Sequence, residues 1–151
     1  MKANQLRELI SDTLKEFGCY SKEATELIML TCAVESNLGH YIKQVKGPAL
    51  GIFQMEPLTF EDNLNWYLKR DMQLNVDRLS KACNIENFTT ESLIYNTKFA
   101  ICLTRIHYLR KPGAIPQNVE GWAEYWKKHY NTYLGAGTVE KAIQKYNKYA
   151  I

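Results

Sequence analysis

No metal or redox motif is present in this sequence. Its four cysteines, Cys19, Cys32, Cys83 and Cys102, contain no C-x2-C pair, the spacing of zinc sites and of redox dithiols. Cys32 and Cys102 fall inside apolar helical patterns, so buried free thiols are expected, as suits a reducing cytoplasm; spacing alone leaves a disulfide open. His40, His107 and His129 are scattered along the chain, and nothing calls for a metal or a cofactor. No apolar run approaches the ~18 residues of a membrane span, so no stable membrane insertion is expected. The opening residues Met1-Lys2-Ala3-Asn4-Gln5 lead into an amphipathic stretch and lack the apolar core of a secretory signal. Internal repeats, linkers, low-complexity tracts and runs of five like charges are also absent.

What is present is ordinary globular composition. The chain has 151 residues, 46% hydrophobic and 23% charged. That suits one domain over residues 1–151, long enough to bury about two-thirds of its unfolded surface. The net charge of +3 is too mild to indicate nucleic-acid binding by itself. It is unevenly placed, however. Residues 1–97 carry 10 Lys/Arg against 13 Asp/Glu, whereas residues 98–151 carry 9 against 3. The basic second part is either a solvated helical face or a surface that attracts an anionic polymer.

The periodicity is helical almost throughout, so an all-α fold of about seven or eight helices is expected, with at most one tiny hairpin near 49–56. Leu6, Leu9, Ile10, Leu14 and Phe17 share a helical face that Gly18 stops. Ser21 caps a second helix, nearly all apolar from Leu27 to Val34, which places it at the centre of the core. It ends around Glu35-Ser36-Asn37. Gly47-Pro48 marks a turn, and the apolar run 49–55 is too short for a helix. Pro57 opens the next helix, another runs from Asp71 to Ala82, and a long one from Ser92 to Leu109. Val119 to His129 forms a helix with Trp122, Trp126 and Tyr130 on one stripe. Thr138 caps the last, Val139 to Tyr149.

A carboxylic acid at the end of an apolar helix has a chemical use. Apolar neighbours disfavour its charged form, so it holds a proton near neutral pH and can donate it. Cleavage of a glycoside needs such an acid to protonate the leaving oxygen. Glu35 is placed for this, and the segment Gly51-Ile52-Phe53-Gln54-Met55-Glu56 follows it.

Glu35-Ser36, then Gly51-Ile52-Phe53-Gln54-Met55, then Tyr130-Asn131 ahead of Gly135-Ala136-Gly137 resemble, in that order, the soluble lytic transglycosylases and goose-type lysozymes. The resemblance covers roughly residues 22 to 147 and extends to small bacteriophage lysis or virion-associated wall enzymes. It implies a lysozyme-like fold with a sugar-binding cleft and no cofactor. By the resemblance, Glu35 is the catalytic acid. Ser36, Gly51, Phe53 and Gln54 belong to the cleft floor, and Tyr130 and Asn131 to its far side. The family's structural Asn near a helix start is matched by Asn96 of Tyr95-Asn96. The sequence departs from the pattern in the extra residues between Tyr130-Asn131 and the glycines. It also carries Glu56 where goose-type lysozymes have an aspartate that positions water. Glu56 is therefore either a base for hydrolysis, with the two carboxyl groups roughly 6.5–9.5 Å apart, or an acid favoured by the helix start. Asp62 is a weaker candidate for the same role.

The function so implied is a muramidase. It cleaves the β-1,4 bond between N-acetylmuramic acid and N-acetylglucosamine in bacterial peptidoglycan, by hydrolysis or by transglycosylation. The chain would act as a monomer, made in the host bacterial cytoplasm without a signal peptide. It would reach the wall through a holin pore or by virion delivery. The competing readings are a catalytically silent wall-binding or virion structural protein on the same fold, and a helical nucleic-acid binder using residues 98–151. Against the last, the basic residues are interleaved with core aromatics.

Overall fold

The protein is described here from a computed structural model, over residues 1–131 and 135–151. It is all-α. Eight helices occur among the described residues: α1 (Ala3–Phe17), α2 (Lys22–Ser36), α3 (Pro57–Arg70), α4 (Met72–Cys83), α5 (Ser92–Tyr95), α6 (Thr97–Leu109), α7 (Val119–Trp126) and α8 (Val139–Tyr149). A π turn, Lys127–Asn131, extends α7. None of these helices is long and apolar enough to cross a membrane.

Helix starts follow side-chain capping, in which an oxygen accepts from a backbone N–H that the helix leaves unpaired. Ser21 Oγ accepts from Ala24 N (3.0 Å), Asp71 from Leu74 N (3.2 Å), Asn118 from Gly121 N (2.8 Å) and Thr138 from Lys141 N (3.2 Å). Two long helices expected from periodicity are interrupted. Ser92–Leu109 breaks at Asn96, whose Oδ1 caps α6 through Phe99 N (2.9 Å) while its Nδ2 donates to Cys83 O (2.9 Å). The asparagine is thus a cap and a strut to the end of α4, while Tyr95, expected to be structural, is exposed. Val119–His129 is α-helical only to Trp126.

α2 is buried on every side from Ala24 to Ala33, with α1, α6, α7 and α8 packed around it. It ends when Asn37 takes a left-handed conformation (φ 52°) and Leu38 N donates back to Cys32 O (3.1 Å). Glu26, 7% exposed, accepts a forked pair from Arg7 Nε (2.7 Å) and Nη2 (2.9 Å) and a third bond from Tyr146 Oη. Arg7 also donates to Ala150 O (2.6 Å). This cluster joins α1, α2 and the end of α8 through fully paired polar atoms.

Between α2 and α3 the chain makes two antiparallel bridges, Lys43 with Leu50 and Leu50 with Met55, without forming a named strand. The tiny hairpin expected near 49–56 is this Leu50–Met55 pair closing over Gly51–Gln54. Gly51 (φ 79°) lies so close to the Leu93 carbonyl that no Cβ fits. All four cysteines are free, with Cys32, Cys83 and Cys102 buried.

Arg7→Met should destabilise the chain by about 2–4 kcal/mol, because it leaves a buried carboxylate short of its main partner. Arg7→Met combined with Glu26→Leu should recover part of that loss. Urea unfolding of both variants measures it, and a double variant no more stable than Arg7→Met would contradict the clamp.

Candidate active site

A cleft of about 690 Å³ opens between the end of α2, the 40–56 segment, the start of α3 and the π turn. Its wall includes Glu35, Tyr41, Gln54, Glu56, His129 and Tyr130. The arrangement begins with Glu35 itself, one residue from the end of the all-buried helix. Its carboxyl is pushed up to about 7, because burial removes the water that would solvate its charge. Two opposing influences hold it there rather than higher. Trp126 Nε1–H donates to Oε2 (2.9 Å), and the Lys145 ammonium lies nearby. Each favours the anion.

The 50s segment supplies the opposite wall. Both Gly51 and Gln54 adopt positive φ (79° and 50°), and this pair of left-handed residues makes the four-residue loop. Gln54 Nε2 donates to Gly51 O (2.8 Å), which stiffens the loop while the residue faces the cleft. Glu56 is exposed at the N-cap position of α3 and borders the same cleft as Glu35. Its side chain makes no capping bond.

Three of the residues assigned to the cleft floor lie behind it. Ser36 is fully buried; its hydroxyl donates to Ile52 O (2.6 Å) and accepts from Gly39 N (2.8 Å), pinning the 50s loop to the end of α2. Gly51 is buried against α5. The Phe53 ring is buried, and its carbonyl accepts from Tyr130 Oη (2.6 Å). These residues shape the cleft without lining it. Glu35, Gln54, Glu56, Tyr130 and Asn131 do line it. Asp62 is exposed on α3 and borders no part of it. Of the late motif, Thr132, Tyr133 and Leu134 lie outside the described residues.

A partly buried polar chain holds the π turn in place. Arg110 Nη1 donates to Asn63 Oδ1 (2.9 Å), and Asn63 Nδ2 donates to His107 Nδ1 (3.1 Å). His107 Nε2 donates in turn to His129 O (2.7 Å). This assignment requires neutral His107, and burial indeed pushes its pKa down to about 4. The His107 ring also meets Tyr130 edge-on at 4.9 Å between centroids. Asn63, His107 and Trp126 carry no signal in the sequence for these roles. Trp126 reads as core, which it is (1% exposed), and only the fold aims its indole N–H at Glu35. Among the described residues no three His, Cys, Asp or Glu side chains are grouped to hold a metal ion.

The arrangement can do acid chemistry. It presents one carboxyl pushed up to about 7, in a cleft with a second, exposed carboxyl on its border. Comparison of the chain with protein-family models, curated proteins and solved structures finds no match.

Folded Glu35 takes up its proton near pH 7 rather than at the ordinary 4.5. The folded state therefore binds more protons than the unfolded between these values, and Glu35 weakens folding as pH rises through that window. His107 acts oppositely: its contribution is complete above 6.5 and is lost as pH falls toward 4. Glu35→Gln copies the neutral carboxyl and leaves His107 in place. It should match the parent in stability at pH 4.5 and exceed it by about 2–3 kcal/mol at pH 8. Urea unfolding at the two pH values reads this, and equal stabilities at pH 8 would contradict a desolvated carboxyl.

Proposed function

We propose that this chain is a lysozyme-like, peptidoglycan-cleaving glycosidase with Glu35 as its general acid. The observation that carries the reading is Glu35, at the end of the buried helix and on the wall of a 690 Å³ cleft, with desolvation pushing its carboxyl up to about 7. The order of Glu35-Ser36, Gly51-Ile52-Phe53-Gln54 and Tyr130-Asn131 along the chain adds the choice of substrate, the β-1,4 bond between N-acetylmuramic acid and N-acetylglucosamine.

In the proposed reaction Glu35 gives its proton to the glycosidic oxygen as the C1–O bond breaks. Positive charge then develops on the sugar ring. Gln54 and Tyr130 face the same space and orient the sugar. In hydrolysis, water adds its oxygen to C1 and its proton passes to the Glu56 carboxylate. In transglycosylation, the substrate's own 6-hydroxyl adds to C1 and its proton returns to Glu35. Glu56 on the cleft border favours the hydrolytic course.

Glu35→Gln should lower turnover of purified peptidoglycan by about 10²–10⁴-fold. Activity of the parent should fall as pH rises through about 7, as the acid loses its proton. Mass spectrometry of the digest separates the two courses. Reducing N-acetylmuramic acid ends, together with a crippled Glu56→Gln, establish hydrolysis; products lighter by one water, with Glu56→Gln nearly intact, establish transglycosylation. Full turnover by folded Glu35→Gln would overturn the reading.

A further inference from the structure

Gly137 closes the run Gly135-Ala136-Gly137 and precedes the Thr138 cap of α8. It lines no part of the cleft. Its backbone does not require glycine either. Among the described residues the left-handed glycines are Gly18, Gly39, Gly51 and Gly113. What the position requires is space. A methyl group on Gly137 would lie 2.5 Å from Trp126 Cη2 and 3.4 Å from Cζ2, the first well inside van der Waals contact.

Neither side of this contact yields cheaply. Trp126 is 1% exposed, on a helix packed against both α2 and α8. Lys127 Nζ donates to Asn131 Oδ1 (2.7 Å) and to Gly135 O (3.0 Å), which ties the glycine run to the π turn. The indole is a rigid plane. One edge meets Gly137, and another carries the N–H that donates to Glu35 Oε2 (2.9 Å), so a push at Cη2 moves Nε1 as well. Glu35, Trp126 and Gly137 also share a recess of about 210 Å³ at the start of α8.

We infer that Gly137 is a positioning residue for Glu35, acting through Trp126: the room it leaves lets the indole N–H hold Oε2, so that the transferable proton sits on Oε1. In a protonated carboxyl the carbonyl oxygen is the better acceptor, so the oxygen that takes the indole bond is not the one that carries the proton. This rests on the glycosidase reading. In the reaction the Oε1–H bond breaks, its proton goes to the glycosidic oxygen, and its electron pair stays on the carboxylate. The Trp126 bond is then charge-assisted and stronger than before, which stabilises the charge as it develops.

Other titratable groups surround the acid. Lys141 and Lys145 approach it from α8, and the Tyr108 and Tyr130 hydroxyls from α6 and the π turn. Tyr41, Glu56, His107, Lys111 and His129 share the cleft wall with it. Tyr108, Tyr130 and Lys145 direct their hydrogen bonds to Thr31, Phe53 O and Val34 O. Among the described residues the hydrogen bond to the Glu35 carboxyl comes from Trp126.

Carbon-13 NMR of the glutamate carboxyls reads the titration of Glu35 in the folded chain, with Glu35→Gln assigning its line. The indole bond favours the anion, so weakening it raises the midpoint. Gly137→Ala should raise it by about one pH unit. Trp126→Phe, which keeps a ring without the N–H, should raise it at least as far. In the Trp126→Phe background Gly137→Ala should add no further shift and no loss of stability to urea, because the smaller ring leaves room for the methyl. That pair keeps the test open should Gly137→Ala alone fail to fold. On peptidoglycan the alkaline limb of activity should move up with the midpoint, while the rate well below it falls about tenfold; a merely structural loss would lower the rate and leave the limb in place. An unmoved Glu35 titration in folded Gly137→Ala, or equal shifts with and without Trp126→Phe, would overturn the inference alone. Absence of turnover by the parent would overturn the glycosidase reading and the inference with it.

Discussion

The structure depends on a helix with no solvent-facing side over most of its length. α2 must be enclosed by its neighbours from Ala24 to Ala33; enclosure loosens at Val34 and Glu35, just before Asn37 turns the chain outward. Glu35 stands at that boundary, so its carboxyl meets the desolvation of the core on one side and the cleft on the other. The proton it holds near neutrality follows from that position more than from any charged neighbour.

The remaining parts of the site keep the boundary in place. Ser36 ties the helix end to the 50s loop through Ile52 O, and Tyr130 ties the π turn to the same loop through Phe53 O. The Arg110–Asn63–His107 chain fixes the π turn from behind. The Ser36–Ile52 and Asn63–His107 bonds are buried and the others partly so; breaking a buried one would leave a costly unpaired group.

Electrostatics divides the surroundings of Glu35. On the cleft side Glu56 is acidic and exposed. On the α8 side Lys141 and Lys145 are basic and one of them is anchored. The cleft wall also holds Lys111, so basic groups border both spaces beside Glu35.

The sequence by itself determined the helical class, the caps at Ser21 and Thr138, the central place of α2 and the position of Glu35 at its end. Each depends on local spacing or on a side chain reaching its own backbone, which a linear pattern records. Gly51 and Gln54, singled out only by the resemblance, are the two left-handed residues of the loop. The tertiary structure decided which residues meet across the chain. Trp126 and Glu35 are 91 positions apart, and Asn63 and His107 are 44 apart. Nothing local distinguishes a core indole or a buried histidine from one with a polar partner. The break at Asn96 was likewise decided in three dimensions, because the asparagine answers a carbonyl of α4 as well as its own helix. Ser36, Gly51 and Phe53 moved from cleft contacts to supports for the same reason: their motif positions are local, but which atoms face solvent depends on what packs behind them.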